Sequence, residues 1–255
     1  MPKMSAKKRR KPIQKKKRPK YMVVWAVILF LLLTGLPTAY YFFRKKNVKE
    51  KKIDLLVNAP YGFLSLGIDV SHHQGKIDWP LIFDELRYDT IIKFVYCKAT
   101  ESTDHFDTRW QENRTTLNNM GIRNGAYHFF DPKSPPRPQV EHFLNHYKHR
   151  DIDLPPMLDV ETEGFSDSDL IAKMKIWLTE VERITGLRPI IYTSYHFFET
   201  KFKNDFEKYN FWIASYSRRP NSLEDKRVIH WQYSETGKIP GCSELVDLNV
   251  SKISF

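Results

Sequence analysis

A β/α barrel whose second half lacks helices is the fold class predicted for most of this 255-residue chain, and three observations predict it. From Leu66 onward, short β-branched and aromatic runs alternate with helical stretches, the rhythm of a β/α sheet. Eight strands can be traced, with helices mainly after the first five. Four acidic residues fall near strand ends, at the face where such barrels keep their chemistry. Aromatic residues make up 14% of the chain, enough to fill a substantial core. A single N-terminal transmembrane helix is expected ahead of the barrel.

Charge divides the chain. The net charge of +11 would suit a nucleic-acid binder if it lay on the folded part. Residues 1–20 hold eleven Lys or Arg and no acid, which leaves 30 basic against 30 acidic residues in the remainder. From Ile53 onward the acids lead, 29 to 24, so no nucleic-acid partner is expected. Residues 1–20 are therefore a basic tail, placed in the cytoplasm. Residues 21–43 carry no charge and as a helix would span ~34 Å, enough for a bilayer. Tyr21, Trp25, Tyr40 and Tyr41 lie toward the ends of this run, where interfacial aromatics belong. Thr38-Ala39-Tyr40 is a poor cleavage site, so an uncleaved anchor in membrane lipid is favoured over a signal peptide. Eleven positive residues precede the span and six follow it, which keeps the N-terminus cytoplasmic and sends the rest to the periplasm or outside. Residues 44–64 are a charged stalk, and 65–255 the barrel.

Within the barrel, Ser65–Ser71 is the first strand and Pro80–Leu86 a short helix. Thr90–Ala99 is a buried second strand, and Thr108–Met120 a helix closed by Gly121. Gly125–Phe130 is a third strand, and Asp131–Pro138 a loop too rich in proline for either element. Gln139–Tyr147 is helical and Met157–Glu161 the fourth strand. The clearest helix follows: Ser166 and Asp169 have cap spacing, and Leu170, Met174, Trp177, Val181 and Ile184 recur at helical steps before Gly186. Pro189–Thr193 is the fifth strand. Phe211–Ser215, Val228–Tyr233 and Leu245–Val250 complete the eight.

The chemistry centres on Asp159 and Glu161, after Pro155 and Pro156. Residues i and i+2 of a strand point the same way, their stems roughly 6–7 Å apart. Two acids that close cannot both ionise freely, so one keeps a proton. A held proton beside a fixed negative charge is what cleaving a glycosidic bond requires. Asp69 on the first strand and Asp247 on the last should meet where the barrel closes, across the mouth from the pair. Tyr127, Tyr192, Trp212, Tyr216 and Trp231 sit on the same rim with Gln232, as candidate sugar contacts through ring faces and hydrogen bonds. No cofactor is expected, and no metal: His142 and His146 have ligand spacing on a helix but no third ligand. His128 is expected to be a hydrogen-bonded strand residue. Two cysteines, Cys97 and Cys242, are too few for a disulfide framework, and buried free thiols are favoured over one bridge.

Gly67-Ile68-Asp69-Val70-Ser71-His72-His73-Gln74-Gly75 and Ile77-Asp78-Trp79 resemble the opening of glycoside hydrolase family 25, the N-acetylmuramidase type of lysozyme. Lys98-Ala99-Thr100-Glu101, Gly125 to Phe129, Leu158 to Glu161, Ile191 to Thr193, Trp212 to Tyr216, Trp231 to Tyr233 and Val246 to Asn249 are similar to further blocks of that family, in order. The resemblance covers about Leu66 to Phe255. It implies an irregular TIM-like (β/α)5(β)3 barrel acting on peptidoglycan glycan strands, at the β-1,4 bond from N-acetylmuramic acid to N-acetylglucosamine. It implies Glu161 as general acid, Asp159 as its partner, and Asp69 and Asp247 as supporting acids. One departure is Ser102, where the family usually has glycine; it bears on the loop after the second strand and on the contacts of Glu101. Same-strand acids leave little room for an opposite-face water, which favours retention. The expected route is substrate-assisted: the 2-acetamido oxygen attacks while Asp159 orients the amide, with direct attack by Asp159 as the alternative. A non-catalytic wall-binding barrel and a chitinase-like N-acetylglucosaminidase are the competing functions.

Overall fold

The computed structural model describes residues 20–56, 59–83, 92–148, 153–217 and 224–255. The basic tail up to residue 19, the end of the expected Pro80–Leu86 helix and the first residues of the expected second strand lie outside the described residues. The chain forms two units, Met1–Lys46 and Asn47–Phe255. Helix α1 (Lys20–Leu56) begins in the first and contains Pro37. Thr34 and Thr38 donate their hydroxyls back to the carbonyls of Phe30 and Thr34, both at 2.6 Å, so neither polar side chain is left unbonded in the apolar run. Val27–Lys46 is long and apolar enough to cross a membrane, and none of it is buried against protein.

The second unit is a closed barrel. Its strands are β1 (Ser65–Val70), β2 (Ile92–Glu101), β3 (His105–Phe106), β4 (Asn124–Phe129), β5 (Met157–Val160), β6 (Ile190–Ser194), β7 (Asn210–Ala214), β8 (Val228–Gly237) and β9 (Val246–Ser251). The order round the sheet is β1-β9-β8-β7-β6-β5-β4-β2, and β1 pairs with β2 to close it. β3 is a two-residue hairpin arm on β2 that sequence periodicity does not show. The helices are α2 (Trp79–Ile82), α3 (Trp110–Asn119), α4 (Pro136–His146) and α5 (Asp167–Thr185). Ser166 caps α5, accepting from the Asp169 N–H at 3.1 Å, and Gly186 ends it at φ 72°, as the spacing predicts. α4 starts three residues earlier than expected, because Pro136 occupies its first position, where a missing N–H costs nothing. Among the described residues after β6, the helical segments are the short turns Tyr195–Phe197 and Phe198–Phe202.

Strand parity sorts the side chains. Ile68, Val95, Cys97, Ala126, Leu158, Val160, Ile191, Phe211, Ile213 and Val250 point outward and join Trp177 and Phe143 of the helices in the main core. Phe94, Tyr96, Tyr127, Met157, Ile190, Tyr192 and Trp212 point inward and fill the barrel itself. Gly67 and Gly125 make room for this filling: a Cβ on either would overlap the ring of Phe94 or Tyr96. Cys97 and Cys242 are both free thiols.

One strand direction differs from a regular barrel. β9 runs antiparallel to β8 and to β1, because residues 238–245 join it to β8 as a loop with no crossover helix. Asp247 therefore sits at the start of its strand, not the end. The reversal is what places it at the mouth, in register with Asp69.

Candidate active site

β5 positions the central acids. Leu158 and Val160 are locked outward in the helix layer, so Met157, Asp159 and then Glu161 face inward. Asp159 is buried, while Glu161 follows the strand end and is exposed at the mouth. Both line one cavity of about 210 Å³, together with Asp69, Lys98, Tyr127, Tyr192, Gln232 and Asp247. The expected convergence of four acids at one end of the barrel is thus present.

The acids are all held above their ordinary carboxyl range, chiefly by burial. Asp159 lies well above it, with the charges of Glu161 and Asp69 adding to the effect and Lys98 opposing it. Its Oδ1 has no hydrogen-bond partner among the described residues. Glu161 keeps surface in contact with solvent, but the cleft walls crowd it enough to raise its carboxyl, against a hydrogen bond from Tyr192 and the charge of Lys98. Asp247 is pushed up to about 9 by burial and by Asp69, to which it is hydrogen-bonded. It is therefore a neutral donor at pH 7. Asp69 is raised by burial but accepts from Asn249 Nδ2 at 2.8 Å and Gln232 Nε2 at 3.0 Å, bonds that favour its anion.

The two amides are themselves oriented. Trp212 Nε1 donates to Asn249 Oδ1 at 3.1 Å, which turns the Asn249 Nδ2 toward Asp69. Tyr216 donates its hydroxyl to Gln232 Oε1 at 2.7 Å, and Tyr192, whose single proton is shared between Gln232 Oε1 at 2.8 Å and Glu161, lies against the same oxygen, which does the same for Gln232. The expected contacts then separate by position. Tyr127, Tyr192 and Gln232 line the cavity. Tyr216 is 51% exposed on the rim and reaches the site through Gln232. Trp212 and Trp231 need correction as sugar contacts, because each is 0% exposed and leaves no ring face for a ligand. Trp212 lies inside the barrel beneath the cavity. Trp231 faces outward into the helix layer, its Nε1 bonded to the Ser215 carbonyl at 3.0 Å.

Sequence reasoning gave no role to Lys98, Asn249, Gln74 or Phe129, which line or buttress the cavity, whereas His73, after the first strand, is where its position suggests a lining residue. Lys98 had a signal: a lysine inside an otherwise apolar strand, at the inward parity of Phe94 and Tyr96. His128 is a buried strand residue, bonded to Thr100 and Gln139 and held to about 3 by burial. His142 and His146 spend ring nitrogens on the carbonyls of His105 and His142.

Comparisons with known proteins agree with this geometry. The sequence profile described as Glycosyl hydrolases family 25 matches residues 68–242. The Escherichia coli K12 protein YegX is 32% identical over 195 residues, covering 76% of this chain and 72% of its own length. Lysozyme M1 of Streptomyces globisporus is 30% identical over 203 residues, covering 72% of this chain and 66% of its own. Among solved structures, a family 25 glycosyl hydrolase from Bacillus anthracis superposes with TM-score 0.67 at 30% identity, over 74% of this chain and 89% of that one. The bacterial lysozyme from Streptomyces coelicolor gives TM-score 0.65 at 30% identity, over 75% and 93%. With its barrel, its ring of acids and these matches in accord, the chain belongs to glycosyl hydrolases family 25.

Proposed function

We propose that this family 25 hydrolase is a membrane-anchored muramidase that cleaves the β-1,4 bond between N-acetylmuramic acid and N-acetylglucosamine in peptidoglycan. The observation that carries the reading is the pair on β5, one acid buried and one at the mouth over a shared cavity. Glu161, at the mouth, is where a glycosidic oxygen can take a proton. Asp159, beneath it, has an unpartnered oxygen available to the substrate's 2-acetamido N–H. Orienting that amide brings its carbonyl oxygen to the anomeric carbon, so the bond breaks with formation of an oxazolinium-like intermediate. Glu161, now a carboxylate, then takes a proton from the water that opens the intermediate, and configuration is retained. Asp69, with Asp247 donating to it, supplies fixed negative charge across the mouth, complementary to the cationic transition state.

The domain plan supports the cellular reading. Residues 1–20 form a basic cytoplasmic tail, 21–43 an uncleaved anchor in lipid, 44–64 a stalk, and 65–255 the barrel on the far side of the membrane. The test is the purified full chain in detergent on peptidoglycan. Mass spectrometry of released fragments should find N-acetylmuramic acid at the new reducing ends, and NMR should find the β anomer first. Glu161→Gln should lose turnover by roughly 10³-fold or more. Wild-type turnover in that variant would refute the assignment.

A further inference from the structure

Lys98 is a buried cation among acids. It stands on the inward face of β2 and lines the cavity with Asp69, Asp159, Glu161 and Asp247. Its Nζ lies 2.5 Å from Glu101 Oε2 and 4.9 Å from the Phe129 ring centre. The pair should not meet in a regular strand, since residues three apart point to opposite faces. The β2–β4 register shifts between Lys98 and Thr100, which inserts one residue and returns Glu101 to the side of Lys98. Thr100 is turned outward to His128 by the same bulge. Glu101 is then fixed from both edges, paired with Phe129 on β4 and His105 on β3. Beyond it, Ser102 adopts φ 49° and bonds back to the Phe129 carbonyl. A bulge, a left-handed residue and a hairpin arm thus serve to hold one carboxylate against one ammonium at the cavity wall.

We propose that Lys98 and Glu101 form a charge-setting pair, in which Glu101 draws the ammonium away from the Asp159–Glu161 couple and so sets the pH range in which that couple works. The proposal rests on the assignment of those two acids as the reacting pair, and it makes Lys98 and Glu101 positioning residues. The titratable groups that line the cavity with Lys98 are Asp69 from β1, His73 from the turn after it, Tyr127 from β4, Asp159 and Glu161 from β5, Tyr192 from β6 and Asp247 from β9. The charge of Lys98 lowers both Asp159 and Glu161 against burial. Glu101 competes for the same cation from the opposite side. Removing Lys98 and removing the Glu101 charge must therefore move the couple in opposite directions. A purely structural role for the pair would lower activity in both variants without that opposition.

The experiment is the pH–rate profile for peptidoglycan solubilisation by the full chain in detergent, with circular dichroism to confirm folding. Lys98→Met should displace the bell to higher pH, and Glu101→Gln to lower pH, each by roughly half a unit or more. Displacements in the same direction, or none, would overturn the proposal. If Lys98→Met does not fold, Glu101→Gln decides alone, because its side chain is 37% exposed and its amide can still accept from Lys98. A downward shift then supports the pair, and an unchanged or raised profile rejects it. Glu161→Gln run beside them separates the two readings. An inactive Glu161→Gln with unmoved profiles ends only the charge-setting role, whereas an active Glu161→Gln ends the assignment of the reacting acids.

Discussion

Beneath the cavity, the inward positions of the barrel carry Phe94, Tyr96, Trp212 and His230, rings in mutual contact at centroid distances of 5.0–6.4 Å, with Phe255 stacked below on His230. Above it the strands carry Asp69, Lys98, Asp159 and Gln232, and two of them, β2 and β8, also supply the rings below. Residues two apart on one strand thus belong to opposite worlds: Tyr96 and Lys98 on β2, His230 and Gln232 on β8. The lower layer excludes water, and that exclusion is the main cause of every raised carboxyl in the upper one. The aromatic floor is in this sense part of the catalytic device.

The sharpest way to break the division is at a residue that joins the two layers from full burial. Trp212 belongs to the floor by packing and to the site by its Nε1 bond to Asn249. Trp212→Phe deletes ring volume from a fully buried position and leaves Asn249 Oδ1 without its donor. Thermal unfolding should show a loss of roughly 2–4 kcal/mol. The freed amide can rotate its Nδ2 off Asp69, so turnover should also fall, by roughly 10- to 100-fold. Unfolding with unchanged activity below the melting range would show that the floor and the site are independent.

The two layers should also pull against each other in acid and base. Asp247, raised to about 9 in the fold, contributes stability that is complete below its ordinary 3.8 and is lost as pH climbs toward 9. His230, held neutral by burial down to about 3, behaves oppositely: its contribution is complete above 6.5 and is lost as pH falls toward 3. Asp247→Asn keeps a neutral donor toward Asp69 and removes the upper-layer loss. Its Tm should match wild type near pH 4 and exceed it by a margin that widens steadily as pH rises to 8, because the wild-type loss accumulates across that whole window. An equal Tm difference at both pH values would mean that Asp247 does not titrate as the geometry requires.

Much of this was legible before folding, and the failures share a cause. Strand existence and the Asp159–Glu161 pair follow from parity alone, because apolar residues on one face leave only the other for polar groups. Parity also shows that Trp231, one residue from Gln232, must face the helices once Gln232 is taken as inward; both had been placed on the rim. Trp212 has the correct parity but the wrong depth. Asp159, Tyr192, Trp212 and His230 are register neighbours on successive strands, and the tilt of a closed barrel carries such a row down from mouth to floor. Depth depends on that stagger, which is set by pairing across the sheet and not by any local run. The reversal of β9 and the bulge at Lys98 are likewise properties of pairing, so Asp247 and Lys98 took their final roles only in three dimensions.

The smallest effect concerns the loop where the family usually has glycine. Ser102 sits in the left-handed region, at a cost to a non-glycine residue of roughly 1–2 kcal/mol. Its Oγ donates to Asp131 Oδ2 at 3.1 Å, and Ser134 joins the same carboxylate, tying the turn after β2 to the loop after β4. Asp131 is held below its ordinary range by these bonds, despite its burial. Ser102→Ala keeps the strain and loses the bond, so it should destabilise by roughly 0.5–1.5 kcal/mol. Ser102→Gly loses the bond and relieves the strain, though it frees the unfolded chain by about 0.4–1 kcal/mol. Glycine should therefore be the milder replacement, against the usual order for a non-glycine site. Denaturant melts of the two variants check the ranking, and Ala more stable than Gly would mean that the left-handed turn is not retained. Because this turn follows Glu101, the same pair also tells how far the site tolerates a looser rim: with the clamp on Asp131 gone in both, only the variant that still favours φ near 49° should keep the wild-type pH profile.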